Sequence, residues 1–568
     1  MLQVVRSPQV YDVCIVGSGA AGGTAAKVLT DGGLNCVMLE AGRMLNPAAD
    51  FKEHVWPYEL EHRGGGPGGK FTGIPVESEF LAPNGFWEIE GEPYTRAEGS
   101  DWMWFRSRIL GGRTNHYGRI SLRMSEWDFK IRSTDGMGDD WPISYQDLAP
   151  YYDKMEKFIG VYGSRDGIAS TPDGIFQPPP QPRCTDIVVK RACDRLGIPC
   201  VAGRRAVITQ PLNGRPACHY CGQCGRGCIT ASNFSSSQVQ IFPAMATKRL
   251  TVIPNAMARE VLLDGDGKVR AVSYIDKKTR REVQVRAKAV ILAASACESA
   301  RLLLNSRSEK FPAGLANTSG AVGRYLTDSV GSGLSGHFPF LEKIPPHNHD
   351  GVSGLHLMVP WWKWKQKNDF LRGYHIEFGG GRGMPGPGSF HGVCNRVEGY
   401  GAGLKKNIRK YYGTFIGFAG RGEMIPNPDS YCEIDPHVVD KWGIPVMKFH
   451  FKWSDNEIKM AKDMQETFEE IIVTAGGVPQ KRSSAPGRPH RINRPGEIIH
   501  ELGTVRMGSS PRTSPLNGFC QAHDVKNLFV MDGACFVTGP DKNPTLTIQA
   551  VAWRAAEYLL QEAKNGSL

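Results

Sequence analysis

Residues 11–40 carry the unit that most limits how this chain can fold. Residues 11–16 read YDVCIV, a short apolar run expected to be a buried strand. Gly17-Ser18-Gly19-Ala20-Ala21-Gly22 follows, then a helical stretch from Gly23 to about Thr30. A second apolar run, 36–39, ends at Glu40. Strand, G-x-G-x-x-G, helix, strand and acid in that order form a dinucleotide-binding βαβ unit. Gly17 permits the tight turn, Gly19 lets backbone approach a pyrophosphate, and Gly22 lets helix and strand pack closely. The free N–H groups and dipole of the helix N-terminus, which follows Ala20, Ala21 and Gly22, favour an anion. Glu40 can accept hydrogen bonds from ribose hydroxyls. A parallel sheet follows from this unit; the choice between NAD and FAD does not.

Four cysteines stand in eleven residues: Cys218, Cys221, Cys224 and Cys228. The spacing C-x2-C-x2-C-x3-C is that of a ferredoxin-type iron–sulfur site, a one-electron carrier. Ile229 follows where bacterial ferredoxins have proline. Zinc is an alternative, although structural zinc sites usually split their cysteines into distant pairs. Two local disulfides are another, strained in so short a run. The other ten cysteines are scattered singly, as in a chain without a disulfide framework.

A length of 568 residues holds two to four domains' worth of core. Apolar and charged shares of 40% and 22% are those of a globular protein. No apolar run reaches the roughly 18 residues of a membrane span. The first eleven residues carry neither a signal-peptide core nor twin arginines. The expected location is therefore cytoplasmic, or periplasmic by co-export with a signal-bearing partner. The net charge of +11 includes no arginine or lysine block, so nucleic acid is excluded as a partner class. A diffuse basic surface or an acidic protein partner accounts for the charge.

Two C-terminal stretches extend the pattern: His500-Glu501-Leu502-Gly503-Thr504-Val505-Arg506-Met507-Gly508, and Leu528-Phe529-Val530-Met531-Asp532-Gly533 followed by Asn543-Pro544-Thr545 and a helix to about Leu560. With the N-terminal fingerprint they resemble the glucose–methanol–choline oxidoreductases, a family of FAD enzymes. Three middle segments agree. Ile109-Leu110-Gly111-Gly112-Arg113-Thr114-Asn115-His116 resembles the family's flavin-contacting loop, 294–303 its second signature, and Val322-Gly323-Arg324-Tyr325-Leu326-Thr327-Asp328 its VGR-x-L-x-D turn. The resemblance spans nearly the whole chain and weakens between residues 335 and 489. Within the family the chain is most similar to bacterial sugar dehydrogenases acting on gluconate, fructose, glucose or glucosides. In the glucose enzymes of that group three cysteines hold a 3Fe–4S cluster at spacings of six and four. Cys218, Cys224 and Cys228 fit those spacings; Cys221 is extra, so 4Fe–4S is equally open.

The resemblance implies an α/β fold (α+β overall): a Rossmann-like FAD-binding domain with a substrate domain built on an antiparallel sheet. The FAD domain is assigned residues 1–45, 101–124, 216–334 and 490–568, with the cysteine segment 218–228. The substrate domain is assigned 46–100, 125–215 and 335–489. The implied cofactor contacts are Gly17, Gly19, Ala20, Ala21, Gly22, Glu40, Arg108, Gly111, Gly112, Asn115, His116, Asp532, Gly533 and Thr545. His116 stands where some relatives bond flavin covalently and others only touch it. His500 and Asn543 match the catalytic pair. Histidine can take the hydroxyl proton, asparagine can hold the alcohol oxygen, and FAD N5 takes the hydride.

The expected activity is oxidation of a secondary hydroxyl of a sugar or glycoside, position 3 favoured. Electrons would leave through the cluster to a cytochrome c or quinone, with a small subunit carrying the export signal. Two alternatives remain: a sugar oxidase using oxygen, which needs no one-electron exit, and an electron-transfer subunit, which needs no proton-abstracting base. His490 and His523 are expected at the surface. Strands are expected at 251–253, 260–263, 268–276, 282–286 and 289–293, with a hairpin at Asp264-Gly265-Asp266-Gly267. Glycine loops at 64–69 and 379–383 could gate the site, and Trp361, Trp362 and Trp364 could stack on a sugar.

Overall fold

The computed structural model describes residues 5–56, 58–59, 80–81, 88–345, 351–383, 393–394, 396–480 and 487–567. The glycine loop at 64–69 lies outside them.

The opening βαβ unit forms as its sequence dictates. Strand Val5–Val16 runs parallel to Cys36–Glu40 on one side and to Glu282–Leu292 on the other. Residues 36–40 are buried throughout, as suits a parallel strand covered on both faces. Among the described residues the sheet has seven strands. Leu250–Pro254 continues the parallel set beyond Cys36–Glu40, and Leu528–Val530 pairs parallel with Glu282–Leu292. Val269–Asp276 and Ala256–Leu263 add an antiparallel hairpin, turned at 264–267 where the two Asp-Gly pairs stand. Glu282–Leu292 is one continuous strand, where the sequence suggested two. Gly17 has φ +99°, and a Cβ there would overlap the main chain of Ala293, so the turn requires glycine. Helix Ala20–Asp31 buries Ala21, Ala25, Ala26 and Leu29 and packs on the long C-terminal helix Thr545–Lys564.

A second, antiparallel sheet has, among the described residues, six strands in the order Val478–Pro479, Val330–His337, Phe415–Gly422, Tyr374–Gly380, Leu357–Val359, Val201–Ala202. The assigned boundary at residue 334 therefore falls inside a strand of this sheet. Helix Asp455–Thr474 opens on a Ser454 capping box and covers one face of the sheet. Along Phe415–Gly422 burial alternates strictly. A Cβ on Gly420 or Gly422 would run into Met464 or Met460 of that helix. Met460, Met464 and Phe468 are fully buried there, each contributing roughly 1.5–3 kcal/mol of apolar burial. The period of two then sends Gly417, Ala419 and Arg421 to the opposite face. Register pairs His375 with Arg421, Glu377 with Ala419 and Gly379 with Gly417.

Trp361 is no sugar platform. It is 5% exposed and packs against Tyr374 at 5.1 Å, while Trp364 leans on Trp127. The ten outlying cysteines are all free, as expected of a chain without a disulfide framework. Among the described residues no helix is long and apolar enough to cross a membrane.

Candidate active site

The carboxyl ends of strands Val5–Val16, Cys36–Glu40 and Glu282–Leu292 open into a cavity of about 560 Å³. Ligands of doubly wound sheets bind at such strand ends. Val16, Gly17, Gly19, Ala20, Ala21 and Glu40 form its dinucleotide end. A Cβ on Gly19 would meet nothing within 4 Å, so the helix N-terminus faces open space. Burial raises the Glu40 carboxyl, which accepts from Ser18 Oγ and, at 2.6 Å, from the Gly42 N–H. Its remaining lone pairs suit ribose hydroxyls. The open helix terminus, the strand-end acid and the elongated cavity fit a dinucleotide cofactor.

Arg108, Gly112, His116, Asp532, Gly533 and Thr545 also line the cavity. The Arg108 guanidinium is committed to Glu92 at 2.9 Å and Glu298 at 2.5 Å, so it braces the wall. Asp532 accepts from Ser295 N at 3.0 Å, Ser299 Oγ at 2.5 Å and Ala534 N at 2.9 Å, which leaves few lone pairs for a cofactor hydroxyl. Three expected contacts stand behind the wall. Gly22 packs helix on strand; a Cβ there would overlap the Gly17 carbonyl. The Gly111 N–H donates to Ser18 Oγ at 2.8 Å. Asn115 is 1% exposed and spends its amide on the carbonyls of Leu110 and Gly112. The motif resemblance carried Gly111 and Asn115 as contacts, but they shape the loop from within. His116 Nε2 lies 3.2 Å from Ser107 Oγ; burial, then Arg119 and Arg113, hold its imidazole down at about 3.

His500 and Asn543 meet in this cavity across 43 residues of sequence. His500 Nδ1 lies 2.9 Å from Ser329 Oγ, which leaves Nε2 for the cavity. Its backbone N–H donates to Asp328 at 2.9 Å. Burial, and repulsion from Glu501, push Asp328 up to about 7. Burial first and the Arg421 guanidinium second hold His500 down at about 3, against the pull of Glu377. His500 is thus a neutral imidazole at working pH, able to accept a proton.

Sequence reading missed the wall opposite the flavin motifs. Glu377 and Arg421 line the same cavity from the antiparallel sheet. Arg421 Nη2 lies 3.4 Å from Glu377, and His375 Nε2 lies 3.3 Å from it. Burial alone would raise the Glu377 carboxyl, but Arg421, His375 and Asn543 together hold it well below the usual carboxylate range. Asn543 Nδ2 donates to that carboxylate at 3.1 Å, and Asn543 Oδ1 is buried with no partner among the described residues. An ionised Glu377 cannot face the amide oxygen, so the amide presents Oδ1 rather than Nδ2 to a ligand. The turn carrying Asn543 is pinned next door: Lys542, 2% exposed, lies 3.0 Å from Asp128 and 2.5 Å from Asp541. The alternation in YHIEFGG and in FIGFAGRG was the available signal for this wall.

The cysteine segment folds as an irregular loop. Tyr220, Gly222 and Gly227 take positive φ, and Ile229 N–H is tied to Glu53 at 2.6 Å. All four cysteines are free thiols, so the disulfide alternative falls. Tetrahedral zinc would hold thiolates about 3.8 Å apart. The compact group of three metal-ligand side chains among the described residues is Asp128, Glu423 and Asp541, around the Lys542 ammonium, and not the cysteines. An iron–sulfur cluster, whose bridging irons space its thiolates wider, does not need so compact a group. Cys218 interacts electrostatically with Cys221, Cys224 and Cys228. Cys218 Sγ accepts the Tyr220 N–H at 3.4 Å and Cys221 the Gln223 N–H. Burial raises the thiols of Cys218 and Cys221, while Arg119, Arg183, Arg215 and Arg226 each have at least one of the four cysteines as an electrostatic partner.

Comparison with known proteins adds the following. The N-terminal GMC oxidoreductase family model matches residues 11–337 and the C-terminal one residues 426–552. Among curated proteins the chain is 28% identical to a 2-methyl-1,2-propanediol dehydrogenase of Mycolicibacterium austroafricanum, over 96% of this chain and 95% of that one. It is 27% identical to the fructose dehydrogenase large subunit of Gluconobacter japonicus, over 98% of each. Among solved structures, a formate oxidase variant of Aspergillus oryzae RIB40 superposes over 100% of both chains with a TM-score of 0.67 at 14% identity, a likeness of fold alone. The strands bearing Glu377 and Arg421 lie between the two matched stretches.

Proposed function

The chain belongs to the GMC oxidoreductase family of FAD-dependent enzymes acting on alcohols, and on that premise we propose that it is a dehydrogenase oxidising a secondary hydroxyl of a sugar or glycoside, position 3 of a pyranose favoured. The observation that carries this reading is the pairing, in one cavity, of a neutral His500 with Asn543, whose Oδ1 is left without a partner among the described residues. FAD, when bound, supplies the two-electron acceptor. His500 Nε2 takes the hydroxyl proton, and the imidazolium so formed is stabilised by Glu377. Asn543 Oδ1 accepts from a neighbouring hydroxyl and orients the ring, as suits a polyol. Arg421 keeps Glu377 ionised and so keeps the amide turned. His116, beside Ser107, would contact the flavin.

Cys218, Cys221, Cys224 and Cys228 would hold an iron–sulfur cluster of three or four irons, which when bound offers a one-electron exit. That exit favours a dehydrogenase over an oxidase, since oxygen takes its electrons at the flavin. A relative described as a large subunit supports a partner as well. The partner we propose is a small subunit with an export signal, working with a cytochrome c or quinone in the periplasm. The two-domain division, a cofactor domain and a substrate domain on the antiparallel sheet, belongs to the same proposal.

Anaerobic flavin bleaching tests the substrate. Methyl glucoside has a blocked anomeric carbon and should reduce the flavin as glucose does. Reduction by glucose alone would refute position 3; reduction by no sugar or polyol would refute the substrate class.

A further inference from the structure

A second cavity of about 390 Å³ adjoins the catalytic one. Glu377, His116, Tyr117, Gly118 and Ile120 form a wall common to both. Its floor is the uncovered face of the antiparallel sheet, where Gly379 pairs with Gly417 next to Glu377 with Ala419. A Cβ on Gly379 would meet nothing within 4 Å, and one on Gly417 nothing nearer than Ser335 Oγ at 3.7 Å. Neither glycine has a positive φ, so the backbone does not require glycine there. What glycine provides at these two positions is room. At the seam the Tyr117 hydroxyl is buried with no partner among the described residues. Leu355 adds apolar surface. Of the four clustered cysteines only Cys224 reaches this cavity, so it is not the space between their sulfurs.

A flat main-chain floor with an apolar flank matches a saccharide ring, which has C–H faces and peripheral hydroxyls. We infer that this cavity is the subsite for a second ring: the substrate is a glycoside of at least two rings, one presented to His500 and Asn543, the next lying over Gly379 and Gly417. The inference rests on the sugar-oxidising reading above and extends it. It also gives a role to the stretch between the two family-model matches.

The test is anaerobic stopped-flow reduction of the FAD-loaded protein by methyl α-glucoside and methyl β-glucoside, against trehalose and methyl β-cellobioside. A two-ring sugar should have kcat/KM at least about tenfold above its one-ring counterpart, since remote binding energy is realised in the transition state. Gly417→Leu should abolish that advantage while one-ring sugars change by less than about twofold, as their transition state lies outside the filled space. Gly379→Val fills the same floor from the partner strand and guards against one variant misfolding, with FAD content and thermal midpoint as controls. An advantage that survives both variants, an equal fall for both sugar classes, or a wild type without two-ring preference would overturn the subsite and leave the sugar reading standing. A flavin bleached by none of the four sugars would overturn that reading itself.

Discussion

The catalytic cavity and the cysteine segment were both readable as short motifs, yet they stand finished to different degrees. In the cavity every group has its place from packing alone: Gly17 turns, Glu40 is held by Ser18 and Gly42, and Asn543 is oriented by Glu377. In residues 218–228 the thiols lie near one another, with N–H donors on Cys218 and Cys221, but without the tight mutual spacing of a mononuclear metal site. A cofactor bound by backbone and hydrogen bonds finds a preformed mould. A cluster bound by coordination supplies much of its own site's order, because ligand geometry is dictated by the metal.

If the two regions are separable, damage to one should spare the other. The largest effect is expected from His500→Ala, a fall of ~10²–10⁴ in the rate of flavin reduction by sugar, with FAD and iron contents unchanged. A near wild-type rate would remove His500 from the chemistry. Next is Cys224→Ser. It should lose most of the iron–sulfur absorbance and cut turnover with a distal acceptor by about tenfold or more, while the first reduction of flavin by sugar keeps its rate. A wild-type protein carrying stoichiometric zinc, or no metal after anaerobic preparation, would break the comparison outright. Asn543→Ala should slow flavin reduction by about tenfold, since positioning survives in part through other contacts. The smallest and sharpest change is in pH dependence. Burial and Arg421 depress His500 to about 3, so its neutral, active form persists as pH falls, and the reduction rate should show no break near 6.5. Removing a neighbouring positive charge favours the imidazolium. Arg421→Gln should therefore move the acid limb upward by about one unit. A wild-type break near 6.5, or an unmoved limb in the variant, would contradict the assignment.

What could be read beforehand follows from where each requirement is encoded. Gly17, Gly19, Gly22 and Glu40 answer to local backbone geometry at fixed spacing, and the structure puts them where that geometry demands. His500 and Asn543 were found only through resemblance, and the fold brings them to one cavity. Glu377 was invisible because its meaning is a contact with Asn543, 166 residues away, made through strand register. Gly111 and Asn115 were assigned one layer too close to the ligand, because a motif records that a loop is retained, not which of its side chains face inward. Trp361 shows the converse: an aromatic run that suggested a sugar platform was filling the core beside Tyr374.

Strand Phe415–Gly422 has one further consequence, for how such a protein can change over time. Its even-numbered positions are locked against the helix of Met460 and Met464, and its odd-numbered positions look onto the two cavities. Adjacent letters of one short stretch are thus accountable to separate demands, cohesion on one side and choice of substrate on the other. A lineage, or a directed library, can vary 417 and 419 while leaving 418, 420 and 422 to the helix and 421 to its ion pair with Glu377. New preferences can then be explored without first finding a compensating mutation to keep the chain folded.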